Sequence, residues 1–573
     1  MPPTKSTVTD ASGGRGKNMV RAESTLSIVN GLQASNGKPV PNEGAGVNRA
    51  SKNASPALAR AVSLHLDGQL SAALKHLREA LEADNSQPAL YAAIGHILCE
   101  LREFEEAAGS YSKLLELEPE HRSAHFNRAV CLARMNRWEE ARTSFERSLR
   151  IDASRIEAHL GMGTCLLHLE HHAEAYRAFS HYLGPHPKHE EALFGSAVAL
   201  QKMGRLSEAK DIYLRILAQN PGAQESLINL TEISLAEQDH EQARKYAELL
   251  LTLDPDSHAA LEALATAAFA TSDFASAVKY CELLVQTNPE QFESWFNLGV
   301  AHQKLSNFKR AAEAYAFAAS QRPDSAEAHL NLAISYQKLG DLTAARAAYE
   351  RALVLEPKLP GALWNLALVL EQQGDQAEAE KLYNMLPEED PDSAEALFRV
   401  GYLRLLRGEF RGAAEAFGGC LKKKSVWPEA QLNAGIAHWR SGDFAASRAA
   451  FEKVLAARPG SVDALRGLAA LSLEEGDYQQ AFQLHKKLIE TGERSAEVFY
   501  NSGLICQKRG EIRDAVVFYR EALKADPDFA EALLNLGHGL MYIGAKDEAH
   551  ACWRKAISIK PDLAEGYFES EGN

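Results

Sequence analysis

No stretch of this 573-residue chain stays apolar long enough to cross a membrane, since a spanning helix needs about 20 consecutive apolar residues. The N-terminus lacks the apolar core of a secretory leader: its most apolar stretch, Leu26-Ser27-Ile28-Val29, is short and polar-flanked. Cysteine is scarce, with seven residues, an odd number, and no Cys-x-x-Cys. A disulfide framework is therefore excluded, and buried thiols in a reducing compartment, by default the cytoplasm, are expected. Positive charge is in deficit, the formal net charge being -15, so the phosphate-neutralising surface that nucleic-acid binding requires is not expected. Also absent are a glycine-rich phosphate loop and the nucleophile elbow of hydrolases. No active site and no cofactor is expected.

Aromatic residues are missing altogether from residues 1–53, which are rich in Ser, Thr, Asn, Gly and Ala. That segment holds too little apolar surface to offset the entropy of ordering, so it is expected to be disordered. It is also locally basic, with Lys5, Arg15, Lys17, Arg21, Lys38, Arg49 and Lys52 against Asp10, Glu23 and Glu43. The rest of the chain is correspondingly more acidic than the whole.

What is present is a period. From Ala54 to Leu563 one pattern of 34 residues returns fifteen times without a gap. With positions in each unit numbered as slots 1 to 34, slot 8 is Gly or Ala in fourteen units, as at Gly95, Gly163, Gly299, Ala333 and Gly537, with Thr231 the exception. Slot 20 is Ala in fourteen, from Ala73 to Ala549, with Ser447 the exception; slot 15 is Gly in nine and slot 32 Pro in eleven. Small residues at slots 8 and 20 let two antiparallel helices approach closely. Glycine at slot 15 ends the first helix in a left-handed conformation, and proline at slot 32 stops the second. Apolar slots 4, 7, 11, 17 and 24 complete the seam; in the last unit these are Leu533, Leu536, Leu540 and Trp553, with Lys546 breaking slot 17.

This pattern resembles the tetratricopeptide repeat. The resemblance covers residues 54–563 and implies an all-α chain, a right-handed α-solenoid superhelix of fifteen 34-residue helix-turn-helix units whose first helices line a concave wall. Residues 564–573 would be a partial helix and tail. The family implies binding of other proteins, so the expected function is a scaffold or adaptor that holds extended segments without turnover. The oligomeric state is left open.

Slots 2, 5, 6, 9, 12 and 13 face the groove in that family. Slot 6 is Asn in eight units: Asn127, Asn229, Asn297, Asn331, Asn365, Asn433, Asn501 and Asn535. Asparagine is a poor helix-interior residue, so eight occurrences need a reason. A carboxamide carries both donors and an acceptor and could pair with the main chain of an extended peptide; it could equally brace neighbouring units. The array is similar to the solenoid of O-linked N-acetylglucosamine transferases, which an asparagine ladder lines. Their large catalytic domain has no counterpart in the ten residues after the fifteenth unit, so transferase activity is not carried over. A substrate-selecting or targeting subunit for a separately encoded glycosyltransferase, or an architectural arm of an assembly, are the alternatives.

Slot 5 is often aromatic, as at Phe126, Phe194, Phe296, Trp364, Phe398 and Tyr500, and partly exposed rings there would anchor a ligand. Co-chaperones that clamp acidic tails place Lys at slot 5 and Asn at slot 9; here slot 5 offers Arg466 as its one cation and slot 9 no Asn. Acids fill slot 2 at Glu157, Glu191, Glu225, Glu293, Glu327, Glu395, Glu429, Asp463, Glu497 and Glu531. They complement helix dipoles and would favour neutral or basic partner segments. The fourth unit is rich in histidine, and His168 and His172 stand four apart, but no carboxylate or thiol cluster completes a metal shell there. Pro387 falls inside the second helix of the tenth unit, which should therefore end early or kink.

Overall fold

The computed structural model describes residues 56–359 and 361–564. The expectations for residues 1–53 and for a partial helix past 564 lie outside the described residues. Among the described residues there are thirty α-helices, from Pro56–Leu66 to Lys546–Ile559, a short 3-10 turn at Pro561–Leu563, and no strand. The chain forms two compact units that divide between Asn307 and Phe308. The first holds the helices up to Phe292–Lys304, and the second those from Phe308–Gln321 onward. Each unit is an α-solenoid in which a first helix and a second helix alternate, as Gln224–Ala236 and His240–Leu253 do, at 13 and 14 residues.

Within each unit every helix packs on the next in sequence, and first helices also touch the first helix of the following repeat. Slot 24 supplies the thick part of this packing. Tyr111, Phe145, Phe179 and Tyr213 in the first unit, and Tyr315, Tyr349, Phe417, Phe451 and Tyr519 in the second, are among the largest fully buried side chains. Within a unit, rings such as Tyr111, Phe179, Phe417, Phe451 and Tyr519 lie where a glycine of slot 8 leaves room. A Cβ added at Gly435 would meet the Phe451 ring at 2.6 Å, and one added at Gly95 would meet Tyr111 at 2.8 Å. The same rings also press on slot 6 of the next repeat: a Cβ at Gly467 would lie 2.6 Å from Phe451, and one at Gly195 2.5 Å from Phe179. A single ring thus fills the space between two consecutive first helices. Burying each contributes roughly 1.5–3 kcal/mol.

The turn between the two helices is equally uniform. Slot 15 has positive φ whether or not it is glycine: Gly204, Gly340 and Gly442 have φ of 76°, 82° and 85°, while Arg102, Asn136, Glu170, Gln238, Ser272 and Ser306 lie between 58° and 62°. The hydrogen bonds that close the turn explain why. The amide of Asp273 donates to the carbonyl of Ala268 at 2.8 Å and that of Ser272 to Phe269 at 3.0 Å, the pattern of a left-handed helix C-cap. Where glycine is missing, the packing of the two helices holds the residue in a conformation its side chain disfavours. Aspartates at slot 16 cap the second helix in several repeats; Asp341 accepts from the Ala344 amide at 3.0 Å and Asp477 from Gln480 at 2.9 Å.

The tenth repeat departs from this plan at Pro387. Its second helix runs only from Gln376 to Met385, ten residues. The loop that follows is tied down by Lys423, whose ammonium donates to the Glu388 carbonyl at 2.7 Å, and by the Ser393 hydroxyl, which donates to the same oxygen at 3.2 Å. Glu380, in the shortened helix, bridges Arg404 at 2.7 Å and Arg407 of the next repeat. Burial pushes its carboxyl up, but the hydrogen bonds from Arg407 and Arg404 outweigh this and hold it below the usual carboxylate range.

Two stability outcomes follow from this packing. Glu170→Gly and Ser272→Gly relieve the left-handed strain and should each raise the denaturant midpoint, by up to about 1 kcal/mol. Gly435→Val drives a side chain into the Phe451 ring and should cost about 1–3 kcal/mol in the same measurement.

Candidate functional site

The first helices carry both of the stripes that the sequence singles out. At slot 6, Asn127, Asn229, Asn331 and Asn365 are buried, at 7%, 6%, 4% and 8% exposure. Asn433, Asn501 and Asn535 are half-buried, and Asn297 is exposed. Asn229 donates to the Glu225 carbonyl in its own helix at 2.9 Å, and Asn535 donates across repeats to the Tyr500 hydroxyl at 3.0 Å. The amide oxygen of Asn127 is buried without a hydrogen-bond partner in the protein. The file is therefore uneven: its one exposed member, Asn297, lies in the first unit and its half-buried members in the second.

What slot 6 touches accounts for its identity. It faces the slot-24 ring of the preceding repeat, sixteen residues earlier. Where that ring is Phe145, Phe179 or Phe451, slot 6 is Gly161, Gly195 or Gly467, and a Cβ there would strike the ring. Where it is Tyr111, Tyr213, Tyr315, Tyr349 or Tyr519, slot 6 is Asn127, Asn229, Asn331, Asn365 or Asn535. In three of these repeats the tyrosine hydroxyl donates to a glutamine of its own repeat, at slot 12. Tyr213 donates to Gln201 at 2.8 Å, Tyr349 to Gln337 at 2.7 Å, and Tyr519 to Gln507 at 2.6 Å. In the tenth repeat the same three places hold Glu371, Tyr383 and Arg399. Tyr383 donates to one carboxylate oxygen at 3.0 Å and Arg399 to the other at 3.1 Å. Burial, with Glu371 beside it, pushes the Tyr383 hydroxyl well above its ordinary range, so it stays protonated as the donor. At the Glu371–Tyr383–Arg399 junction a polar trio thus spans two repeats, and a small, apolar junction takes its place where slot 6 is glycine. Sequence reasoning missed the trio, although its spacings of twelve and sixteen residues were there to count.

The aromatic stripe of slot 5 divides in a similar way. Phe126, Phe194 and Phe296 are buried, the last stacked on Phe292 at 5.5 Å. Trp364, Phe398 and Tyr500 are half-buried. Each of these three rests against the buried ring of its own repeat, Tyr383 at 5.3 Å, Phe417 at 5.7 Å and Tyr519 at 5.9 Å between ring centroids. Two of them gain a second half-buried aromatic neighbour that the sequence did not single out: Trp427 stacks on Phe398 at 4.8 Å, and Phe529 lies 4.8 Å from Tyr500. Both neighbours occupy slot 34, so the two pairs repeat one arrangement three repeats apart. All four rings stay half-buried, held by contact with one another and with the core.

Charge at slot 2 is less open than its count implies. Glu429 is paired with Arg458 at 2.8 Å and Glu531 with Lys560 at 2.7 Å, whereas Glu327, Asp463 and Glu497 are exposed. The histidines of the fourth repeat do not converge. His159 stacks on His181 at 5.0 Å and His168 on Trp138 at 3.9 Å.

Comparison with known proteins agrees with this geometry. Models of the tetratricopeptide repeat match residues 93–156, 234–292, 296–360, 330–394 and 432–496, and further models of the same repeat match 166–229 and 496–529. No curated protein matches the chain. Among solved structures, YrrB, described as a TPR protein with an unusual peptide-binding site, is 24% identical over 33% of this chain and 96% of its own, with a TM-score of 0.31. The C-terminal part of a TPR repeat-containing protein of Cytophaga hutchinsonii is 17% identical over 42% of this chain and 99% of its own, with a TM-score of 0.37. The structure of Naa15/Naa10 bound to HypK-THB shares 15% identity over 88% and 93% of the two chains, with a TM-score of 0.32.

The polar trio makes one energetic prediction. Tyr383→Phe should destabilise by about 1 kcal/mol in the native background and by less beside Glu371→Leu, because the hydrogen bond is already gone. Denaturation of the two single variants and the double variant measures the coupling.

Proposed function

Because the chain belongs to the tetratricopeptide-repeat family, we propose that it is a protein-binding scaffold that holds extended segments of its partners along the open side of its first helices, without turnover. One observation carries this: Trp364, Phe398 and Tyr500 stay half-buried beside rings of the same repeats that are wholly buried. Half-buried aromatic groups held in place by packing are what a binding surface uses as anchors, because they bring large contact area at little entropic cost. The Phe398–Trp427 and Tyr500–Phe529 pairs are the strongest of these in the second unit.

The half-buried Asn433, Asn501 and Asn535 and the exposed Asn297 supply amide groups beside those anchors for the main chain of a bound peptide. Asn127, Asn229, Asn331 and Asn365, being buried, act chiefly between repeats. The exposed acids Glu327, Asp463 and Glu497 border the same stripe, which favours neutral or basic partner segments.

Affinity capture from cells with the full chain tests the proposal, comparing the native protein with Phe398→Ala/Tyr500→Ala and with Asn297→Ala. Folding of each is checked by far-ultraviolet circular dichroism. The aromatic double variant should recover its partners at least about tenfold less well, since each anchor is a hot-spot residue, and Asn297→Ala should weaken a subset. Recovery of every partner at native levels by the folded double variant contradicts binding on this face. Co-purification of a sugar-nucleotide enzyme would instead point to a substrate-selecting subunit.

A further inference from the structure

A cluster outside the aromatic stripe gathers three groups able to ligate a metal. His65 lies at slot 12 of the first repeat, in helix Pro56–Leu66; His96 and Glu100 lie at slots 9 and 13 of the second, in helix Pro88–Glu100. The latter two stand four residues apart and so share one helical face. The Nε2 of His65 is 3.0 Å from one oxygen of Glu100, and the Nε2 of His96 is 3.3 Å from the other. One ligand atom from each of the three lies within 4.8 Å of the others, and the two imidazole centroids are 5.6 Å apart. All three side chains remain partly open to solvent, at 28–29% exposure, so an ion has a path in.

We propose that His65, His96 and Glu100 form a binding site for a divalent transition ion of the zinc class. Two imidazoles and one carboxylate are a borderline donor set that suits zinc, cobalt or nickel, whereas calcium and magnesium require oxygen ligands. A tetrahedral ion with bonds of about 2.0–2.1 Å needs its donors roughly 3.3 Å apart; the donors here lie within 4.8 Å of one another, with the two imidazoles on different oxygens of Glu100, so a small turn of that carboxylate closes the set. The three ligands leave a fourth position for water. Among the described residues no other group of His, Cys, Asp and Glu converges in this way, the histidine-rich fourth repeat included.

The location gives such an ion a purpose. Helix Pro56–Leu66 buries Ala61 alone, so the first repeat is the weakly held end of its unit. An ion joining His65 to His96 and Glu100 crosses from the first repeat to the second and fastens that end, as terminal repeats of stacked arrays require. Metal occupancy would then set the order of residues 56–83.

Calorimetric titration of the chelator-treated full chain with Zn2+ tests the site. The native protein should show a saturable binding step that weakens at least about tenfold in His96→Ala and Glu100→Gln and persists in His168→Ala/His172→Ala. Hydrogen exchange across residues 56–83 should slow on adding Zn2+ to the native chain but not to the variants. His65→Gln, whose side chain is already half-exposed, serves as a mild third variant that keeps the fold, with circular dichroism as control. If the binding step and the exchange rates are the same in native protein and all three ligand variants, the ion is adsorbing to scattered surface histidines and the site is refuted.

Discussion

The fold depends on one contact made in most repeats: the slot-24 ring wedged between the first helix of its own repeat and the first helix of the next, a place that Leu77, Ala247 and Cys281 fill without a ring. The ring spans a gap that a glycine or alanine of slot 8 opens on one side, and slot 6 must accommodate it on the other. Phe451 between Gly435 and Gly467 shows how little room is left, since a Cβ on either side would come within 2.6 Å. Interiors packed this closely do not deform gradually, so the ring fixes the spacing of successive first helices. The turn obeys the same constraint. Arg102, Glu170 and Gln238 accept positive φ because helix packing and the closing hydrogen bonds leave the backbone no other course.

This contact also divides the first helix between structure and recognition. The side facing the wedge is consumed by packing, and there glycine at slot 6 occurs only above a phenylalanine ring, although Asn433 follows Phe417. The adjoining side has no such obligation. Trp364, Phe398 and Tyr500 sit on the boundary, half-buried and in contact with a buried ring of their own repeat. In the ionised trio, Arg399 fills the slot-6 position and reaches Glu371 at 3.1 Å, so one repeat junction is closed by charge where its neighbours use carboxamides. The scaffold can therefore vary its open side while the wedge keeps each repeat in register.

Much of the fold was legible in the sequence because its constraints act at fixed positions. Slots 8, 15, 20 and 32 each admit few residues, and counting them recovers the helix pairs. Pro387 likewise announces the short helix that stops at Met385. The site was less legible. Asparagine at slot 6 does not reveal its own surroundings: its exposure, 4% at Asn331 but high at Asn297, depends on neighbours one repeat away. The Tyr–Asn correlation carries that information, yet it emerges only once slot 24 is known to face slot 6 of the following repeat. His65 and Glu100 escaped notice for a related reason: they are 35 residues apart, one repeat plus one position, and no local motif joins them. The His168–His172 pair, whose spacing looks more like a metal site, is drawn off by ring stacking on Trp138.

The central claim is that partners are held on the open side of the first helices, the wedge having occupied the other. Hydrogen exchange of the full chain, alone and with a partner recovered by capture, tests it most directly. Protection concentrated in the first helices Ser393–Leu406 and Ala496–Lys508, with their second helices unchanged, is the result the account predicts. Protection confined to the second helices, with those two first helices exchanging as in the free protein, would contradict it.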